Sequence, residues 1–205
     1  LKSLIRLPKL SDVHTLSMSK SFDKILLISE QFSQKKNHQV KFHITTEGDQ
    51  DYHRIPCLSS QAQESITSLQ FKAVRFTGLF DELNKKAPLI FQNLKSLRLT
   101  FKCLGLRAAE WFQYLKDFSQ LENLSLDFTG HQDDILSHDS LQQFTLPKSL
   151  KSLELKGTAY FSDLLDSPED LACFLSAFRD MNSLRSLSFE FELFEDFQSR
   201  YTTFF

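Results

Sequence analysis

A chain of 205 residues with a formal net charge of −2 is long enough to bury one cooperative core, and its near-neutral balance argues against a generic polyanion binder such as a nucleic-acid protein. The longest uninterrupted aliphatic run, Ile25-Leu26-Leu27-Ile28, is far too short to cross a bilayer, and residues 1–12 do not themselves carry the pattern of a signal peptide. No Gly/Pro/Ser-rich linker or charge run divides the sequence, so residues 1–205 read as a single domain.

From the amino terminus onward, short segments recur. Val13-His14-Thr15-Leu16-Ser17-Met18 is followed by Asn37-His38-Gln39-Val40-Lys41-Phe42, Ile66-Thr67-Ser68-Leu69-Gln70-Phe71, Leu94-Lys95-Ser96-Leu97-Arg98-Leu99, Leu121-Glu122-Asn123-Leu124-Ser125-Leu126, Leu150-Lys151-Ser152-Leu153-Glu154-Leu155 and Leu184-Arg185-Ser186-Leu187-Ser188-Phe189. The starts fall at 13, 37, 66, 94, 121, 150 and 184, and a leucine pattern returning at such steps marks stacked units rather than a one-off core. Fourth, sixth and eighth positions are nearly all apolar, as in Val40, Phe42 and Ile44 or Leu124, Leu126 and Phe128. Alternation of period two predicts a strand with one buried and one exposed face. It places Leu97, Leu99, Leu124, Leu126, Leu153, Leu155, Leu187 and Phe189 inside.

Between these strands the apolar spacing is helical. Asp23 to Gln34, Leu79 to Lys86, Leu106 to Phe118 and Asp133 to Phe144 each carry an apolar stripe. Ser167-Pro168-Glu169-Asp170 reads as a helix start, with serine as N-cap, proline at the first helical position and carboxylates in the first turn. Strand, turn, helix, turn, strand is the order throughout, and right-handed crossovers make such strands parallel. Because a helix is wider than a strand, the stack must curve. The twenty-one phenylalanines fall largely at apolar repeat positions and are expected to fill the space between sheet and helices.

These residues resemble the leucine-rich repeat family, whose unit begins Leu-x-x-Leu-x-Leu and carries Asn or Cys at the ninth position and an apolar residue at the eleventh. The resemblance spans about residues 13 to 200, and the step length is similar to that of the intracellular, helix-backed subtype typified by ribonuclease inhibitor and the Ran GTPase-activating protein. It implies an α/β leucine-rich repeat solenoid of about seven repeats, with a curved parallel sheet on the concave side and helices on the convex side. The eleventh position holds Phe76, Leu104, Tyr160 and Phe194 in four copies, whereas the ninth holds Ser21, Thr45, Val74, Lys102, Thr129, Thr158 and Glu192, with no asparagine. Hydroxyls there make a weaker substitute for the family's turn asparagine, so irregular turns are expected.

Catalytic signatures are absent: there is no Gly-x-Ser-x-Gly, no glycine-rich phosphate loop and no His-Glu-x-x-His. His131-Gln132-Asp133-Asp134 with His138-Asp139 is the densest group of potential ligands, yet it lies after a strand and at a helix start, where aspartates act as caps. Cys57, Cys103 and Cys173 are odd in number and widely spaced, which fits reduced thiols in a cytoplasmic protein and no zinc site. The expected function is a non-catalytic, cofactor-free protein–protein interaction module, a scaffold or recognition subunit. Alternatives are a structural subunit of a large assembly and a GTPase-activating regulator of the same repeat family. For the latter, Arg75, Arg98 and Arg107 are the arginines near the strand ends of the middle copies.

The resemblance further implies binding of another protein on the concave face, made by the third, fifth and seventh positions. In this register the fifth row includes Lys41, Gln70, Arg98 and Glu154, and the seventh His43, Lys72, Asp127, Lys156 and Glu190. Lys41, Lys72 and Arg98 then gather in the amino-terminal half, and an acidic part of the partner is expected to face them. Leu1-Lys2-Ser3-Leu4-Ile5-Arg6-Leu7 resembles a repeat fragment, and the ending with Phe204 and Phe205 is a poor cap. A longer parent protein is expected, with further repeats or a partner over the carboxy-terminal edge.

Overall fold

The computed structural model describes residues 13–19, 22–33, 41–47, 55–74, 79–101, 114–128, 145–157 and 168–191. Seven strands, β1 (Val13–Ser19), β2 (Lys41–Glu47), β3 (Ile66–Val74), β4 (Ser96–Phe101), β5 (Asn123–Asp127), β6 (Ser152–Gly157) and β7 (Ser186–Phe191), form one sheet. Strand order equals chain order and every neighbouring pair is parallel. The chain is therefore α/β with an all-parallel sheet. Among the described residues no helix is long and apolar enough to cross a membrane.

Helices α1 (Phe22–Ser33), α2 (Ser60–Ser65), α3 (Leu79–Lys86), α4 (Leu89–Asn93) and α5 (Pro168–Ser176) lie between strands. Helix α1 buries Phe22, Ile25, Leu26, Ser29 and Ser33, a spacing of three to four residues that keeps one stripe on the core. Its two buried hydroxyls are satisfied locally, Ser29 donating to the Leu26 carbonyl at 2.7 Å and Ser33 to Ser29 at 2.9 Å. In α3, Asp81 and Glu82 occupy the first turn and Lys85 and Lys86 the last, matching the helix dipole, and Glu82 pairs with Lys86 at 2.8 Å one turn on. The predicted spans at 23–34 and 79–86 and the start at Pro168 agree with α1, α3 and α5 within a residue.

Helices α2 and α4 are too short to leave a periodic signature in the sequence. Capping and one buried amide hold them. Ser59 accepts from the Ala62 amide at 3.3 Å and is itself fixed by Glu30 of α1, which takes the Ser59 amide at 2.7 Å and its hydroxyl at 3.0 Å. Buried Gln63 donates to the Leu58 carbonyl at 2.8 Å and accepts from the Leu89 amide at 3.0 Å, tying α2 to the start of α4. Of the predicted helix at 106–118 only the last five residues are described, with Leu115 and Phe118 buried. The helix expected at 133–144, the His131–Asp139 group, Ser167, Cys103 and the turn positions Ser21, Lys102, Thr129, Thr158 and Glu192 lie outside the described residues.

The core sits on one face of the sheet. Leu69, Leu97, Leu124 and Leu153 form one buried row and Phe71, Leu99, Leu126 and Leu155 the next, and helix residues Ile25, Leu26, Ala62, Phe80, Leu83, Ile90 and Phe91 join them in a single cluster. Aromatic rings bridge units: Phe22 meets Phe71 of β3 edge-on at 5.1 Å, and Phe91 stacks on Phe118 of the next unit at 4.6 Å. The described phenylalanines of this cluster fill the space between sheet and helices, as expected.

Strand entry repeats one local geometry. The amides of Leu94, Leu121, Leu150 and Leu184 close turns onto Ile90, Phe118, Pro147 and Met181. The Lys95 carbonyl then accepts from both Glu122 and Asn123, Glu122 from both Lys151 and Ser152, and Lys151 from both Arg185 and Ser186, at 2.7 to 3.1 Å. One carbonyl thus fixes two successive amides of the next strand, which pins each register.

Two expectations are corrected. The second copy begins four residues later than its pattern suggested: Ile44, not Val40, stands between Leu16 and Leu69 in the fourth row, and Lys41 lies opposite Val13 at the start of β2. A shift by an even number of residues preserves inside and outside, so alternation could not discriminate; the ladder does. A bulge at Phe42/His43 places Phe42 opposite Ile66, so buried Phe42 occupies the place of the first leucine. The second correction concerns β7. Leu187 and Phe189 keep register with Leu153 and Leu155 but are 45% and 41% exposed, and among the described residues β7 is the last strand of the sheet.

Candidate functional site

The face opposite the core carries three polar rows fixed by strand pairing. The third row runs Thr15, His43, Ser68, Ser96, Asn123, Ser152 and Ser186; the fifth Ser17, Thr45, Gln70, Arg98, Ser125, Glu154 and Ser188; the seventh Ser19, Glu47, Lys72, Thr100, Asp127, Lys156 and Glu190. From β3 to β6 these side chains are half-buried or exposed while the fourth- and sixth-position residues between them are buried. That contrast defines the face.

The register rearranges the expected site. His43 belongs to the third row beside Ser68, and Lys41 to the first position, so Lys41 is not grouped with Lys72 and Arg98. The neighbour of Lys72 toward the amino terminus is Glu47. Gln70, Lys72, Arg98, Asp127, Glu154, Lys156 and Glu190 keep their expected rows, and Thr45 hydrogen-bonds Gln70 at 3.4 Å.

A continuous polar network crosses β4 to β7. Arg98 donates through Nε to Ser125 at 3.2 Å and through Nη2 to Glu154 at 3.1 Å; Ser125 donates to the same Glu154 oxygen at 2.7 Å. Lys156 reaches Glu154 at 3.3 Å and Glu190 at 2.7 Å. The Ser125 hydroxyl above all, opposed next by desolvation and then aided by Lys156 and Arg98, holds the Glu154 carboxyl below the ordinary carboxylate range. Glu190 and then Glu154 raise the Lys156 ammonium above its ordinary value. Arg98 is thus engaged by a carboxylate of the same chain, which the pattern of row positions did not reveal. Sequence offered the signal in part, since opposite charges two strands apart in one row are legible, but the hydroxyl between them has no charge to notice.

A second charge row lies at the strand entries, outside the expected site. Glu122 stands between Lys95 at 4.0 Å and Lys151 at 3.0 Å, and the hydrogen bond from Lys151 is the main influence holding its carboxyl low. Arg185, exposed, follows Lys151 in the same row.

No family model, curated protein or solved structure matches this chain. Among the described residues no three His, Cys, Asp or Glu side chains gather as metal ligands, and Cys57 and Cys173 are free thiols. What the polar face offers is an ordered set of hydroxyls, amides and paired charges. Such groups recognise shape and hydrogen-bonding pattern.

Proposed function

We propose that this chain is a non-catalytic protein–protein interaction module of the leucine-rich repeat kind, its seven strand units stacked as a solenoid and its partner seated across the polar face of the sheet. The observation that carries this reading is the division of the sheet into a core face and a face of registered polar rows. From β1 to β7 that face measures about 29 Å across at the usual inter-strand spacing, wide enough for a partner's secondary-structure element. Three copies of one turn-and-ladder geometry, at the entries of β5, β6 and β7, support the repeat assignment.

The corrected register changes the expected recognition. With Lys41 elsewhere and Arg98 paired to Glu154, the face is a mosaic of both charges, and its partner is a protein surface of mixed charge rather than an acidic one. Mixed pairing gives orientation and selectivity more than raw affinity. The small side chains of Ser68, Ser96 and Ser152 form an open floor that receives the partner's side chains.

Partner capture with the full-length protein, followed by Ser96→Trp and Ser152→Trp, tests the proposal. A large ring on the floor excludes the partner and leaves the core untouched. Abolished binding with unchanged thermal unfolding supports the polar face, whereas full binding by both variants moves the site to the helices or loops.

A further inference from the structure

The fourth-position row is covered from β3 to β6 and open in β7: Leu153 is 0% exposed and Leu187 45%. The sixth row repeats the step, from 2% at Leu155 to 41% at Phe189. Both β7 residues are in register with their buried predecessors, so the difference lies at the outer edge of the sheet. Phe189 is anchored on its helix side, 6.0 Å from Phe174 and 6.3 Å from Phe178. An edge strand with ordered, exposed apolar side chains is a template for strand addition.

Charges at either end of this apolar pair specify the complement. The entry row reads Lys95, Glu122, Lys151, Arg185, with Glu122 bridging the first two lysines and exposed Arg185 repeating the sign of Lys151. The exit row reads Asp127, Lys156, Glu190, with Lys156 bonded to Glu190 and Glu190 exposed at the edge. A strand laid beyond β7 in the same parallel register meets a cation at its entry and an anion at its exit.

We infer that the β7 edge binds a β-strand of a partner protein, added parallel to β7. The strand carries apolar side chains at two alternate positions opposite Leu187 and Phe189, an acidic residue opposite Arg185 and a basic residue opposite Glu190. Main-chain hydrogen bonds supply affinity, the apolar pair buries the two exposed side chains, and the terminal charges set direction. This edge shares Glu190 with the polar face, but its peptide test is independent of the function proposed above.

A synthetic peptide with this pattern, a twin with the two charges exchanged and a scrambled control are titrated onto the whole chain, with amide hydrogen exchange across Ser186–Phe191 as the readout. The matched peptide slows exchange in β7 by about tenfold at saturation, and the charge-exchanged twin binds about tenfold more weakly at low salt. Leu187→Asn weakens the matched peptide while leaving thermal unfolding unchanged, because Leu187 is already half exposed. Equal binding of matched, exchanged and scrambled peptides overturns the inference. So does slow β7 exchange in the dilute chain alone, which means the chain's own residues cover the edge, or protection that grows with chain concentration, which makes a second copy the occupant.

Discussion

Ile44 lies directly opposite Leu69 across the β2–β3 ladder, with Leu16 on its other side. This contact places β2 in the fourth row and removes Lys41 from the neighbourhood of Lys72. Ile44 is fully buried, so Ile44→Ala leaves a cavity and costs about 2–4 kcal/mol in urea unfolding. Lys41→Glu leaves partner affinity unchanged while Lys72→Glu weakens it. Equal effects of the two charge reversals would restore the grouping of Lys41 with Lys72.

Leu126 and Leu187 occupy equivalent faces of strands with different neighbours. Replacing Leu126 by Asp buries an unpaired charge in the covered sixth row and unfolds much of the array, whereas Leu187→Asp shifts the melting temperature by only a few degrees. Circular dichroism melts compare them. Similar losses from both would mean that β7 is covered in solution.

How much of this was legible depends on the kind of signal. Period-two alternation located all seven strands and the inner faces of β2 to β6, and the helical stripes located α1 and α3, because burial imposes a period that composition cannot hide. Register was less legible: Val40, Phe42 and Ile44 offer two alignments with identical alternation, and only hydrogen bonding from Ile66 and Ser68 selects one. Exposure of Leu187 was illegible, since a residue's pattern does not say whether another strand follows. The Arg98–Glu154 pair could be suspected from the rows, but Ser125 between them reads as inert filler until its hydroxyl is seen donating to the carboxylate.

Gln63 makes two buried main-chain hydrogen bonds that join α2 to α4. Gln63→Leu keeps the volume and orphans the Leu58 carbonyl and the Leu89 amide, a loss of about 1–3 kcal/mol. Gln63→Glu retains an acceptor for Leu89 but sets a buried carboxylate against the Leu58 carbonyl and is less stable than the leucine variant at neutral pH. Equal stability of all three would show that water replaces the amide.

The polar network makes stability depend on pH in two windows. Glu154 titrates below its ordinary 4.5 in the folded chain, so its contribution is fully present above pH 4.5 and is lost as the pH falls through the folded-state value. Lys156 titrates above its ordinary 10.5, so its contribution is present below pH 10.5 and is lost as the pH rises through the folded-state value. Glu154→Gln flattens the acid limb of the melting-temperature profile without affecting the alkaline contribution of the Lys156–Glu190 contact. The coupling of Arg98 to Glu154 in a double-mutant cycle is about 0.5 kcal/mol, as for other exposed pairs. An acid limb unchanged by Glu154→Gln would assign the acid dependence to other carboxylates.

Site-specific photo-cross-linking addresses the central claim, that the partner sits on the polar sheet face, most directly. A photoreactive side chain is placed at Ser96 or Ser152 on the face and, for comparison, at Leu27 of α1 or Lys85 of α3, both exposed on the helices, and each variant is irradiated with the captured partner. The account predicts cross-links from Ser96 and Ser152 and none from Leu27 or Lys85. Cross-links from the helix positions alone would contradict it.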